Sequence, residues 1–405
     1  MCNGTIMDKL ISFSIPLMLS GILQLMFNAV DIVVVGRFSG SQALAAVGST
    51  TALINVFTNL FIGISLGANV LAARYYATGK TKEMSETVHT AIALALVSGV
   101  AMAVIGVVFA RGALEIMGTP DDVIAKSALY MRIYFCGMPF FMMYNYGAAI
   151  LRAVGDTKRP LIFLIVSGVI NAVLNLFLVI GFHLDVAGVG IATVISQLVS
   201  CILVLRCLHH TESSYQLHLA KLRIRSVYLK QIFEVGVPAG IQSTVINISN
   251  AMLQSSVNSF GSIAMAGYTA SNNIFGFLYV SVNSFTQACM SFTSQNYGVK
   301  KLKRMDRVLI DCMILSVVVT LILGSSVYIF GPELLHIYSN QADAIKYGME
   351  IFSYTTVTYF LCGLMDLFPG ALRGMGYSTV PMILPIIAKV GGGIHGSYGM
   401  FPSHR

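Results

Sequence analysis

Eleven stretches of this chain are apolar over about the 20 residues that a helix needs to cross the hydrocarbon core of a bilayer. They lie near 11–36, 44–73, 87–110, 124–151, 160–183, 187–208, 231–258, 263–295, 308–331, 345–372 and 378–394. Inside lipid the backbone must satisfy its own polar groups, and an α-helix does so within one segment. The runs therefore predict an all-α integral membrane protein. Charged residues are 10% of the 405, against about 25% in soluble domains. That excludes a cytosolic enzyme and a secreted module. The first run is too long for a cleavable signal peptide, holds Asp31, and has no small-residue cleavage site behind a short apolar core.

The net charge of +8 is a topology signal. Of the 25 Lys and Arg, 18 fall at the N-terminus or in the loops after even-numbered runs, and five in the opposite set. This bias predicts a cytoplasmic N-terminus by the positive-inside rule. It argues against a basic patch for nucleic acid. The seven Cys are scattered, without a CxxC pair, and read as small buried hydrophobes.

The chain also repeats itself. Leu151-Arg152-Ala153-Val154-Gly155 recurs 221 residues later as Leu372-Arg373-Gly374-Met375-Gly376. The same offset relates Pro160 to Pro381, Leu114 to Leu335, Asp122 to Asp343 and Tyr76 to Tyr297. Pro16 and Pro238 match at 222. The domains expected are an N-terminal six-helix lobe at 1–208, a basic cytoplasmic linker at 209–230 and a C-terminal lobe at 231–405. Both copies start on one side, so they are parallel repeats, a plan found in rocking secondary transporters. Channels and flippases duplicate too.

Asp31 is the acidic residue within the first run. A charge in the bilayer interior costs about 2.5–3.5 kcal/mol on insertion scales, so such residues usually face a cavity. Asp31 is either an interfacial partner of Arg37 or a carboxylate that exchanges an ion. Asn171 and Asn175 share a helix face, and Thr193 can join them. These amides are either interhelical glue or oxygen donors to a proton carrier or a cation.

A polar stripe runs through Ser243, Asn247, Asn250, Gln254 and Asn258, and another through Asn272, Tyr279, Asn283 and Gln287. Thr51, Asn55 and Thr58 form a thinner one. Each suits a cavity wall or a polar helix interface. Asp366 lies two turns before Arg373, where Asn145 and Arg152 stand in the first copy; it is either a structural partner or a cavity group. Pro16, Pro139 and Pro238 fall within runs and predict kinks, with the Pro16 and Pro238 bends matched. Enzyme signals are absent: there is no HExxH and no nucleophile elbow, and Gly79-Lys80-Thr81 lacks the first glycine of a P-loop.

These residues resemble the multidrug and toxic compound extrusion (MATE) family along nearly the whole chain, and most of all its DinF-like branch. The resemblance rests on Phe13-Ser14-Ile15-Pro16 with Asp31-Ile32-Val33-Val34-Val35-Gly36-Arg37, and on Leu151-Arg152-Ala153-Val154-Gly155-Asp156-Thr157-Lys158-Arg159-Pro160. It rests also on Gly190 to Gln197, on Ser294-Gln295-Asn296-Tyr297-Gly298 and on Ala371 to Gly376. It implies two six-helix bundles around a V-shaped cavity. It implies export of small organic, mainly cationic compounds or drugs by alternating access, with H⁺ or Na⁺ as coupling ion and no cofactor. Asp31 matches the family's first-helix carboxylate and Pro16 its bending proline. Asn171 and Asn175 match a pair that usually reads Asn then Asp. The expected setting is a bacterial inner membrane, the expected state a monomer, and nucleic acid is not an expected partner.

The repeat also measures the chain. A second copy of full length would end near residue 429, and the eleventh run is interrupted by Lys389 and Gly391-Gly392-Gly393. The expectation is a second bundle lacking its last helix, in a truncated transporter. The alternatives are a lipid-linked precursor flippase of the related superfamily and a fragment without transport activity. A flippase would want cations inside the runs, where few occur.

Overall fold

The structure is a computed structural model that describes residues 1–258, 261–338 and 341–387. The described residues form helices joined by short turns, with no strand among them. In order these are α1 (Met7–Phe38), α2 (Ser41–Ala77), α3 (Thr81–Ile116), α4 (Asp121–Cys136), α5 (Met138–Val154), α6 (Lys158–Leu176) and α7 (Asp185–His209). After the linker come α8 (Ser226–Asn258), α9 (Ser262–Gly298), α10 (Leu302–Ile329), the short α11 (Gly331–His336) and α12 (Ala342–Gly374). A π-helical stretch, Phe177–Gly181, ends the fifth apolar run. Residues 379–387 are helical again, and the interruption expected at Lys389 and Gly391-Gly392-Gly393 lies outside the described residues.

By length and hydropathy, six of the described helices can cross a bilayer, or seven with the bent α12. The helices α8 and α9 stand outside that set, and they are the two that carry the long polar stripes.

The repeat is written in the backbone as well as in the sequence. Helices α2 and α9 start at 41 and 262 and end at 77 and 298, each 221 apart. Positive φ recurs at the same interval. Gly40 (φ 86°) and Gly261 (φ 97°) precede α2 and α9. Gly155 (φ 102°) and Gly376 (φ 97°) follow the two Leu-Arg motifs. Glycine has no Cβ to clash in the left-handed region, so it terminates helices there. Gly155 N–H bonds the Arg152 carbonyl and Asp156 N–H that of Leu151; Gly376 and Tyr377 do the same with Arg373 and Leu372. The repeated motif is thus a helix-ending device.

The fourth run does not form one helix. It breaks at Gly137, and Pro139, which lacks an N–H, enters the first turn of α5. Its repeat counterpart α12 is bent by 53° between Thr356 and Thr358, the latter 221 residues after Gly137. Pro16 and Pro238 lie inside α1 and α8, each of which runs on as one helix.

Two compact units emerge, residues 19–240 and residues 1–18 with 241–405. They depart from the halves of the sequence repeat at matched places: α1 divides two residues after Pro16, and α8 two residues after Pro238. The linker belongs with the first unit. There the core runs from Val34 to Ile232 through Met84, Phe135, Tyr146 and Val204. Helix α8 approaches α2 closely, since a Cβ on Gly63 would lie 2.2 Å from Gly240 Cα. In the second unit Leu10, Phe13 and Leu17 pack with Phe285, Phe292 and Cys312, and the Phe13 and Phe292 rings meet edge to face at 5.6 Å.

Candidate functional site

Within residues 19–240, α1, α6 and α7 bring one carboxylate against a ladder of polar side chains. Asn175 Nδ2 donates to Asp31 Oδ1. The same amide donates to Asn171 Oδ1 at 3.2 Å. Asn171 Nδ2 reaches Thr193 Oγ1 at 3.5 Å, and Thr193 closes the chain by donating to the Val189 carbonyl at 2.9 Å. Asn171 and Asn175 are buried and Asp31 is half-buried. The four residues singled out in the sequence do meet. Asp31 is not paired with Arg37; its neighbours are amides and phenols.

What holds α1 there is a contact one turn earlier. A Cβ on Gly168 of α6 would fall 1.7 Å from the Phe27 ring. The bare backbone of Gly168 gives Phe27 its seat. Asp31 follows Phe27 by four residues and Asn171 follows Gly168 by three, so both polar groups lie on the contacting faces.

Sequence reasoning missed Tyr130 and Tyr134 on α4, whose phenols lie close enough to Asp31 to feel its charge. Tyr134 also lies beside Gln197 of α7. Asn175 Oδ1 and Gln197 Oε1 are buried acceptors without a donor. A tyrosine in an apolar run carries no signal of its own. The i, i+4 spacing of the two, in the apolar run before that of the Asn pair, is the one clue available.

In the other unit the polar stripes satisfy much of their bonding locally. Asn247 Nδ2 donates to the Ser243 carbonyl at 2.9 Å, and Gln287 Nε2 to Asn283 Oδ1 at 2.7 Å. Asn250 and Asn272 are exposed, as is Asn55 in the first unit. Gln254 lies on α8. Asp366 of α12 shares its surroundings with Tyr279, Tyr359 and Arg373, and the Arg373 guanidinium donates to Gln242 Oε1. No group of three or more His, Cys, Asp or Glu fit to hold a metal occurs among the described residues.

A family model described as MatE matches residues 16–177 and 238–395. The probable multidrug resistance protein YoeA of Bacillus subtilis (strain 168) is 30% identical over 383 residues, covering 93% of this chain and 83% of that protein. The multidrug export protein MepA of Staphylococcus saprophyticus is 23% identical over 393 residues, covering 96% and 86%. Among solved structures, an outward-facing multidrug resistance MATE family transporter of the MOP superfamily superposes with a TM-score of 0.91 at 20% identity, over 98% of this chain and 88% of that one. That last likeness speaks for the fold. The two matched blocks open at Pro16 and Pro238, the paired prolines of the repeat, and together they span most of the sequence: the chain belongs to the MatE family, whose members are membrane transporters and not enzymes.

Proposed function

We propose that this protein is a secondary active multidrug efflux antiporter that exports small organic, mainly cationic compounds in exchange for H⁺ or Na⁺. The observation that carries the reading is the Asp31 carboxylate, held by Asn175 in a ladder with Asn171 and Thr193. The names of the relatives, a probable multidrug resistance protein and a multidrug export protein, support multidrug efflux; the cationic preference is part of the proposal. The proton is the favoured ion. An amide N–H already points at the carboxylate, and Asn175 stands where a second acid would add the charge that a Na⁺ cage wants.

In this reading ion binding at Asp31 favours one facing state and the drug favours the other, since tight binding without such a difference shifts nothing. Pro16 and Pro238 supply the bends. Asn247, Asn250, Asn272, Asn283, Gln287 and Asp366 are the drug-facing polar groups of their unit. The positive-inside bias puts the N-terminus in the cytoplasm of a bacterial cell, with the protein in the plasma membrane as a monomer.

The test is counterflow of a fluorescent organic cation in proteoliposomes, with pH and Na⁺ gradients imposed separately. A pH gradient is expected to drive accumulation, and Asp31→Asn to lower it roughly 100-fold. Undiminished transport by Asp31→Asn sinks the assignment, and drive by Na⁺ alone replaces the proton with sodium.

A further inference from the structure

His89 lies near the start of α3 and is 2% exposed. Both ring nitrogens are engaged. Nδ1–H donates to the Ser85 carbonyl at 2.6 Å. Nε2 accepts the backbone N–H of His218, in the linker, at 3.1 Å. A ring with a single proton, on Nδ1, satisfies both partners. A second proton would set an Nε2–H against the His218 N–H, and the bond would be lost.

Other contacts hold the same strap of chain. His209 Nδ1 donates to the Leu217 carbonyl at 2.9 Å, Leu217 N–H bonds the Leu208 carbonyl at 3.0 Å, and the Leu217 side chain is fully buried. Arg225 N–H meets Thr90 Oγ1 at 3.3 Å. Arg223 and Arg225 clasp Glu86 at 2.5 and 3.2 Å. The His89 bond is the one in this strap in which a buried imidazole is the acceptor, so protonation cancels it outright.

Charged and titratable groups surround this strap. From the linker come His218, stacked on His89 with centroids 6.2 Å apart, then Lys221, Arg223 and Arg225. Helix α7 contributes His209. On α8, Tyr228 faces Glu83 and Glu86 of α3 itself. Glu86 is already engaged by two arginines. Lost hydration, helped by Lys221, His89 and His209, holds the His218 imidazole below its ordinary range.

We infer that His89 is a pH-operated latch: as a neutral ring it holds the linker, residues 210–225, on α3, and as a cation it lets the linker go. Arg225 directly precedes α8, whose first half rests on α2. Release of the strap frees the root of that helix. Acidification on the linker's side of the membrane is thereby read out as mobility at α8, whichever ion drives transport.

The experiment is amide hydrogen exchange of the full chain in nanodiscs, followed by mass spectrometry of linker peptides. Rates are corrected for intrinsic exchange between about pH 8 and about pH 5, the range in which histidines titrate. Linker protection is expected to fall about tenfold toward acid, worth roughly 1.4 kcal/mol. His89→Gln keeps an acceptor without a titrating group, so its protection is expected to stay high and flat. His209→Ala and His218→Ala should retain the pH dependence. A flat wild-type profile overturns the latch, and that result needs no variant. So does a pH dependence that survives in His89→Gln, or one that vanishes in His209→Ala or His218→Ala.

Discussion

The two copies of the repeat share a backbone and divide the chemistry. Position 31 is Asp in the first copy; 221 residues on stands Met252, an exposed side chain. Position 145 is Asn, whose amide bonds the Phe141 carbonyl of its own helix at 2.8 Å; its counterpart is Asp366, beside Tyr279 and Arg373. Each unit therefore holds an acid the other lacks, at a different height in the repeat. Helix ends and turns were duplicated faithfully because they are set by backbone sterics. Side chains facing polar interiors were free to diverge, since no packing rule fixes them.

The largest effect should come from erasing the first copy's acid. Asp31→Asn is expected to lower ion-driven efflux roughly 100-fold, at the upper end of typical coupling free energies. Asp31→Asn with Met252→Asp should restore nothing, because Gly392 and Gly396 stand in the sequence where the ladder has Asn171 and Asn175. Recovery of efflux in that double variant would show the copies to be interchangeable.

The seat of α1 ranks next. Gly168→Leu drives a side chain into Phe27 and should cost about 1–3 kcal/mol by overpacking, read as lower Tm and weaker efflux. Adding Phe27→Ala should recover most of the loss. If Gly168→Leu is silent, α1 is placed by something other than this contact.

Asp366→Asn should be milder. A partly exposed charge near an arginine is worth about 1 kcal/mol, so the apparent KM for an organic cation is expected to rise about fivefold with little change in maximal rate. An equal loss of maximal rate and of KM-limited rate would make Asp366 a second coupling acid.

These comparisons also show what the sequence could and could not disclose. The offset of 221 was legible because Leu-Arg-x-x-Gly ends a helix and glycine at φ near 100° resists replacement. Asp31, Asn171, Asn175 and Thr193 were legible because polar atoms in lipid need partners, and helical spacing aligned them. Tyr130, Tyr134 and the Phe27–Gly168 seat were not. Their residue types are ordinary in apolar helices, and which faces meet is decided by packing between distant segments. The break at Gly137 was half visible, since Pro139 announced a kink but not a new helix. His89 was invisible as an acceptor because its donor is a backbone N–H 129 residues away.

The smallest effect tests the backbone side of the comparison. After α2 the chain turns through Gly79 at φ 67°; after α9 the equivalent residue is Lys300 at φ 59°. The hydrogen bonding is the same in both. Gly79 and Lys80 N–H reach the Tyr76 and Tyr75 carbonyls, as Lys300 and Lys301 N–H reach those of Tyr297 and Asn296. Left-handed φ costs a residue with a Cβ about 1 kcal/mol. Glycine avoids that cost but brings a more disordered unfolded chain, so part of the gain is returned. Lys300→Gly should therefore stabilise the protein by about 0.5 kcal/mol, and Gly79→Lys should destabilise it by a similar amount. Thermal unfolding of the two single variants and of the exchanged pair reads this directly. The exchanged pair should sit near wild type, because the two turns have the same geometry and differ in which residue fills it. A pair far from wild type would mean that Lys300 is held in place by its side chain, and that the second copy's turn has been recruited to a task the first does not share.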